Sequence, residues 1–271
     1  MICFPNAKIN IGLYVTEKRP DGYHNIETLF YPTSLCDALE ILENKESVAP
    51  LQWSSSGITL DGNTEDNLCV KALNLLKHDY DIPPLKMHLH KVIPFGAGLG
   101  GGSADAAFAL KALNEMFNLD IDTPKLIAYA AKLGADCAFF IRNIPQTATG
   151  IGDVLSPCKI KLIGYHLVLV KPDIHVSTPE AYKGIKPKQL TVSFAEQLRL
   201  PVEEWKGVIK NDFEESVFPN HPGIKAIKDK MYAGGAEYAS MTGSGAAVFG
   251  LFKNKPEVDF PRCFVWAEEI K

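Results

Sequence analysis

The chain has 271 residues, 46% of them hydrophobic and 22% charged, with a mean hydropathy of -0.02; this is the composition of a globular protein with a real core, and it excludes disorder and fibres. Its 28 Lys+Arg against 32 Asp+Glu leave a net charge of -4, so no overall basic field draws in nucleic acid or anionic lipid. At roughly 150 residues per domain the length suits one large domain or two modest ones.

In chain order, residues 7–15, 25–31, 38–42 and 85–92 carry short apolar or alternating patterns between turn residues and read as strands. Leu68, Ala72, Leu75 and Leu76 recur at helical spacing behind Asp66, a candidate N-cap. Two further helices are expected over 103–117 and 124–133, the second with Thr123 as N-cap, Pro124 at its first position and Gly134 as its stop. Beyond about residue 150 the pattern changes. A buried strand is expected at 166–170, weak polar amphipathicity over 187–210, a helix at 223–232, and strands of a second small sheet at 238–241, 246–252 and 262–266. Strands and helices without regular βαβ alternation give an α+β fold, with a boundary near 160 dividing residues 1–160 from 161–271.

Six cysteines include no Cys-x-x-Cys pair, so they spell neither a zinc site nor a redox motif and read as reduced, mostly packed thiols. The N-terminus lacks a cationic segment followed by an apolar one, since Lys8 interrupts it, and no apolar run approaches the ~18 residues of a membrane span. The expectation is a cytoplasmic protein, monomer or homodimer, whose partner is a small molecule rather than nucleic acid or membrane.

The strongest local signal is Pro94-Phe95-Gly96-Ala97-Gly98-Leu99-Gly100-Gly101-Gly102-Ser103, which runs straight into a helix. Glycines permit positive φ and close backbone approach, and free N–H groups at a helix start attract phosphate. A side chain at Gly101 is expected to stand where phosphate oxygens lie. Gly96, Gly98 and Gly101 also satisfy G-x-G-x-x-G, with Asp120 and Asp122 near the spacing of a ribose-binding acid. A dinucleotide fold needs a hydrophobic strand between helix and acid, however, and the stretch after Phe117 leaves no room for one. No Lys-Ser/Thr follows the glycines, so a Walker loop is excluded and an ATP loop of another design remains.

Three weaker signals accompany it. Lys8 lies among apolar residues of a strand and by itself reads as a snorkelling edge lysine. Asp136, in Gly134-Ala135-Asp136, stands past a helix stop and reads as a capping residue. Thr242-Gly243-Ser244-Gly245 reads as a tight hairpin. His88 and His90 alternate on one strand without a third ligand nearby and are expected to be solvated.

Together, and in this order, Pro5-x-Ala7-Lys8-x-Asn10, the glycine-rich stretch, Gly134-Ala135-Asp136 and Thr242-Gly243-Ser244-Gly245 resemble the GHMP small-molecule kinases. Asp21-Gly22-Tyr23-His24 and the triple glycine 100–102 resemble the branch of that superfamily that phosphorylates 4-diphosphocytidyl-2-C-methyl-D-erythritol. Further likeness lies at 65–68, 150–153 and 211–214, while 187–209 carries no motif; Ala104 stands where a second serine is common and Ala138 where a proline is usual.

The resemblance implies a two-domain α+β kinase with its active site in the cleft between the halves. It implies transfer of the ATP γ-phosphoryl group, with magnesium bridging the phosphates, to the 2-hydroxyl of the cytidine-linked alcohol in the non-mevalonate isoprenoid route. Lys8 and Asp136 are then the catalytic pair; Ser103 would stand at the edge of the magnesium, and no carboxylate ligand is evident. Pro94, Phe95, Gly96, Ala97, Gly98, Leu99, Gly100, Gly101, Gly102, Ser103 and Ala104 would wrap the phosphates, with Asn67 on the adenine side. His24 would read the cytosine edge, Tyr23 and Tyr182 sandwich the ring, and Asp21, Asn10, Thr149 and Gly150 complete the substrate pocket. An aspartate is a poor base for an alcohol, but in a loose transition state the proton need not leave early, so position matters most.

Overall fold

The computed structural model describes residues 1–45, 49–59, 62–257 and 259–271. Twelve strands and eight helices alternate irregularly among these residues. They are β1 (Ile2–Cys3), β2 (Asn6–Lys18), β3 (His24–Cys36), β4 (Ala38–Glu43), β5 (Leu51–Gly57), α1 (Leu68–Lys77), β6 (Leu85–Lys91), α2 (Gly101–Met116), α3 (Thr123–Leu133) and α4 (Cys137–Arg142). After them come β7 (Gln146–Thr149), β8 (Val154–Pro157), β9 (His166–Pro172), α5 (Thr178–Tyr182), α6 (Phe194–Gln197), α7 (Phe213–Val217), α8 (Pro222–Ala233), β10 (Tyr238–Met241), β11 (Val248–Phe252) and β12 (Cys263–Glu269). The fold is α+β as expected, with three four-stranded sheets ordered β1-β4-β6-β5, β2-β3-β7-β8 and β10-β11-β9-β12. No helix among the described residues is long and apolar enough to cross a membrane.

The chain forms two compact units that interleave in sequence instead of dividing once near 160. One comprises Met1–Lys8, Pro32–Pro94 and Gly100–Ile144; the other comprises Ile9–Tyr31, Phe95–Leu99 and Pro145–Lys271. The cause is pairing between distant segments: β3 pairs with β7 through Thr28↔Ala148 and Phe30↔Gln146, which takes the early strands into the second unit.

In the first unit α1, α2, α3 and α4 pack together and α2 lies against β1 and β4. Leu39, Ile41, Leu73, Leu76, Leu89, Leu110, Leu113, Phe139 and Phe140 are buried there. Strand β6 alternates cleanly, Leu85, Met87 and Leu89 inward, and Lys91 falls on the same inward phase. In the second unit α8 packs on β10 and β11, and its core joins Val168, Val170, Phe213, Ile224, Met231, Val248 and Phe252.

Several boundaries differ for local reasons. Helix α2 begins at Gly101, two residues before the expected start, because Gly100 adopts φ +70° as its cap. The cap of α1 is Asn67, whose Oδ1 accepts from Cys69 N at 2.8 Å, not Asp66. Asp122, not Thr123, caps α3, its Oδ1 accepting from Lys125 N at 2.9 Å. Strand β5 was absent from the expected elements because, at the sheet edge, most of its side chains are exposed and no apolar alternation marks it. The second small sheet proves to be one sheet with β9 inside it, paired to β11 and β12.

Candidate active site

Lys8 sits in β2, at the edge of its sheet as expected, but its side chain is buried and does not snorkel to solvent. Its Nζ lies 3.4 Å from Asp136 Oδ2, whose side chain is 35% exposed. Asp136 occupies the cap position of α4, yet its side chain makes no capping hydrogen bond. The carboxylate is therefore spent on the lysine and open to solvent, not on the helix. A Cβ on Gly100 would come within 3.2 Å of Lys8 Cε and 3.0 Å of Phe140 Cζ, so the lysine stem runs directly past the start of α2. Next to Asp136, burial pushes the Cys137 thiol up to about 11, while a hydrogen bond with Ser103 pulls the other way. Lys8, Asp136, Gly100 and Ser103 thus converge within one unit.

The glycine-rich stretch divides between the units: Pro94 and 100–104 belong to the first, Phe95–Leu99 to the second. In the second, Ala97 and Leu99 are buried, and Ala97 O accepts from Ala247 N at 3.3 Å. Gly98 has φ +72°, and a Cβ there would lie 2.1 Å from Thr242 O, so no larger residue fits. In the first, a Cβ on Gly101 would point inward, 2.9 Å from both Ile93 Cγ2 and Lys91 Nζ, and not to where an anion would arrive. That corrects the expectation for Gly101. A Cβ on Gly102 meets nothing closer than Leu68 Cδ1 at 3.7 Å, and Ala104 is fully buried.

Thr242, in the loop joining β10 to β11, is the residue that local sequence undersold. Its Oγ1 accepts from Asn10 N at 2.9 Å and donates to Gly98 O at 3.2 Å, tying strand, glycine stretch and hairpin together. Asn10 is buried, and its Nδ2 donates to Thr28 Oγ1 at 2.9 Å. The loop is held in turn by Asn211, whose Nδ2 donates to Met241 O at 2.7 Å and Gly243 O at 2.9 Å, and by Glu214, whose Oε1 accepts from Met241 N at 2.8 Å. This gives the motif at 211–214 its physical content. His175 also went unremarked: a Cβ on Gly96 would lie 2.7 Å from its Nδ1. Nothing in its local sequence marks it.

The aromatic residues expected around a base lie in the second unit. Tyr23 is 62% exposed beside a turn that Asp21 holds, its Oδ1 accepting from Tyr23 N at 3.0 Å. The hydrogen bond from Arg19 to Asp21 holds that carboxyl below its ordinary range. His24 lies in β3 and stacks on Tyr182, at the end of α5, with ring centroids 4.8 Å apart and planes 22° apart. Phe213 packs on Tyr182 in a T-shaped arrangement, with ring centroids 4.7 Å apart. So the histidine expected at a base edge occupies a tyrosine face. Thr149 and Gly150 close a turn in which Gly150 O accepts from Ile26 N at 2.8 Å.

His88 and His90 are hydrogen-bonded to serines of β5: Ser54 Oγ and Ser56 Oγ meet the two ring nitrogens of His88 at 2.8 Å each, and Ser56 Oγ meets His90 Nδ1 at 2.9 Å.

Comparison with known proteins agrees with this architecture. The profile of the GHMP kinase N-terminal domain matches residues 67–143, and that of the C-terminal domain matches 196–260. A 4-diphosphocytidyl-2-C-methyl-D-erythritol kinase of Parabacteroides distasonis is 55% identical over 274 residues, covering 100% of both chains. One from Chlorobium phaeobacteroides is 37% identical, covering 91% of this chain and 84% of that one. A crystal structure of 4-(cytidine 5'-diphospho)-2C-methyl-D-erythritol kinase superposes with a TM-score of 0.76 at 33% identity, covering 93% and 90% of the two chains. Homoserine kinase from Cytophaga hutchinsonii, at 16% identity and TM-score 0.67, shares the fold. With more than half of its residues identical along the whole length of a relative, the chain belongs to the 4-diphosphocytidyl-2-C-methyl-D-erythritol kinase family of the GHMP kinases.

Proposed function

We propose that the protein transfers the γ-phosphoryl group of ATP to the 2-hydroxyl of 4-diphosphocytidyl-2-C-methyl-D-erythritol, in the non-mevalonate route to isoprenoids. As a GHMP kinase it is an ATP-binding phosphotransferase. The observation that carries the reading is the Lys8–Asp136 pair: a carboxylate at a helix cap that does not cap, 3.4 Å from a buried ammonium beside Gly100.

In this reading Asp136 accepts the hydroxyl proton as the phosphoryl group transfers, and its partial exposure lets an alcohol reach it. Lys8, 3.4 Å from that carboxylate, opposes the negative charge on the transferring group. Pro94 to Ala104 supply backbone N–H groups to the phosphates, with Asn67 on the adenine side although its Oδ1 already caps α1. Among the described residues no three His, Cys, Asp or Glu side chains converge on a metal position. A magnesium ion arriving with the nucleotide would supply charge neutralisation at the phosphates.

For the base, Tyr182 is the platform. Its face already carries a parallel ring, that of His24, at stacking distance, so a cytosine would take that place and move His24 to its edge, with Tyr23 covering the other side. Asn10, Asp21, Thr149 and Gly150 line the rest. ADP release measured over a panel of cytidine diphosphate alcohols, homoserine, mevalonate and galactose tests the assignment. Activity confined to homoserine, mevalonate or galactose would overturn it.

A further inference from the structure

Beneath the first turn of α2 lies a charged cluster that the chemistry above does not use. Lys91, at the inward end of β6, donates from Nζ to Asp37 Oδ2 and, at 2.7 Å, to Asp105 Oδ2. All three side chains are almost wholly buried. Asp37 Oδ1 accepts the backbone N–H groups of Val92 and Ile93 at 2.6 and 2.8 Å, the two residues leading into Pro94. Asp105 stands one turn inside α2. The lysine passes directly under Gly101, where a Cβ would lie 2.9 Å from Nζ. A lysine at this place invites the reading of a phosphate ligand, but its ammonium is engaged by two carboxylates on the inner side of the helix.

Such a cluster is a poor source of stability. Two carboxylates share one ammonium, and the cost of dehydrating buried ions commonly cancels their attraction, so apolar replacements serve as well. One Asp105 oxygen, Oδ1, is buried without a hydrogen-bond partner among the described residues, which adds to the cost. What the cluster does fix is geometry. It ties the backbone just before Pro94, through Asp37, to the helix just after Gly102, through Asp105, and so sets the two ends between which the glycine-rich stretch is strung.

We propose that Asp105, acting through Lys91 and Asp37, is a positioning residue for ATP, holding the start of α2 at the separation from β6 that the phosphate-binding backbone requires. This rests on the kinase reading, and the test separates the two. Affinity for a non-hydrolysable ATP analogue is measured by calorimetry, which needs no acceptor alcohol, alongside steady-state kinetics. In Asp105→Leu the bridge is cut while Lys91 keeps Asp37, so no ammonium is stranded. ATP affinity should fall about tenfold, with kcat within about twofold of wild type and KM for the cytidine substrate unchanged. Asp105→Asn, whose amide oxygen still accepts from Lys91, should restore ATP affinity to within about twofold.

A folded Asp105→Leu protein with wild-type ATP affinity overturns the proposal, as does an Asp105→Asn protein as weak as Asp105→Leu. Where the leucine variant does not fold, Asp105→Ser, too short to reach Lys91 but polar, takes its place with the same expectation. Failure of both to fold would also overturn it, by making Asp105 a residue of stability alone. A wild-type protein that does not bind the analogue refutes the kinase reading instead.

Discussion

Replacing Asp136 by asparagine keeps the shape of the side chain and removes its charge and basicity, so stability and rate should respond very differently. At 3.4 Å and an effective dielectric near 20, its attraction to Lys8 is about 5 kcal/mol before any desolvation cost. With 35% of the aspartate side chain exposed, solvent screens that attraction, and the net contribution to folding should be about 1 kcal/mol. The loss of a positioned proton acceptor, by contrast, should lower kcat about a hundredfold or more. ATP affinity should change little, because the phosphate-binding backbone is untouched. The assay is ADP release with the cytidine substrate on protein whose thermal melt and circular dichroism match wild type. Turnover within about threefold of wild type would refute the catalytic assignment of Asp136 and return it to a helix-end residue. Lys8→Ala should produce a comparable fall in kcat with a larger loss of stability, since its stem is buried beside Gly100.

The glycine-rich stretch separates into two behaviours. Gly98→Ala, with φ +72° and a carbonyl oxygen 2.1 Å from the new Cβ, should cost at least about 2 kcal/mol in a denaturant melt, whereas Gly102→Ala, inside α2 with only an ordinary contact to Leu68 at 3.7 Å, should gain up to about 1 kcal/mol. Equal effects would mean that the two backbones are not as described. Tyr182→Ala should raise KM for the cytidine substrate several-fold, and the uridine form of that substrate should lose more still in kcat/KM, because a site built to pair with the cytosine edge leaves polar groups unmatched; a cytidine-to-uridine ratio near one would remove the base from recognition. Burial pushes the Asp105 carboxyl up from 3.8 to about 7, with the Lys91 ammonium pulling against it and the Asp37 charge adding to it; Cys69 and Cys3 also face it. The folded chain then keeps a proton that the unfolded chain releases, so this group's contribution to stability falls as pH rises from about 4 to about 7 and is level above. Asp105→Asn should flatten that part of the stability profile, and an unchanged slope would contradict the assignment.

Much of the fold was legible because its signals are local. The strands expected at 166–170 and 238–241 and the helix expected at 223–232 are all present, β9 running on to Pro172 and α8 starting one residue earlier at Pro222. The glycine-rich stretch reads as an anion site from its composition, and that reading is carried into the proposed function. Where no local pattern exists, reading failed: β5 is mostly exposed, and α4, six residues long with five of them buried, has no polar face to reveal a helical period. Lys91 does carry a local signal, a charge on the inward phase of an alternating strand.

Order and residue type along the chain were enough to liken the segments holding Lys8, Asp136 and the glycines to the motifs of one family. Only the tertiary structure decided what each side chain does with its polar atoms. Asp136 could cap α4 or face a lysine, and it is the long-range docking of β2 that supplies Lys8 as partner. Asp105 looks like one more residue of a small-residue helix until Lys91 and Asp37, from separate segments, meet it in the core. His24 and Tyr182 read as two parts of a base site, and the fold stacks them on each other. The physical reason is common to all three. Backbone conformation is set by neighbours within a few residues, but a buried polar group takes whichever partner the packing of distant segments brings within about 3 Å, and no local pattern encodes that choice.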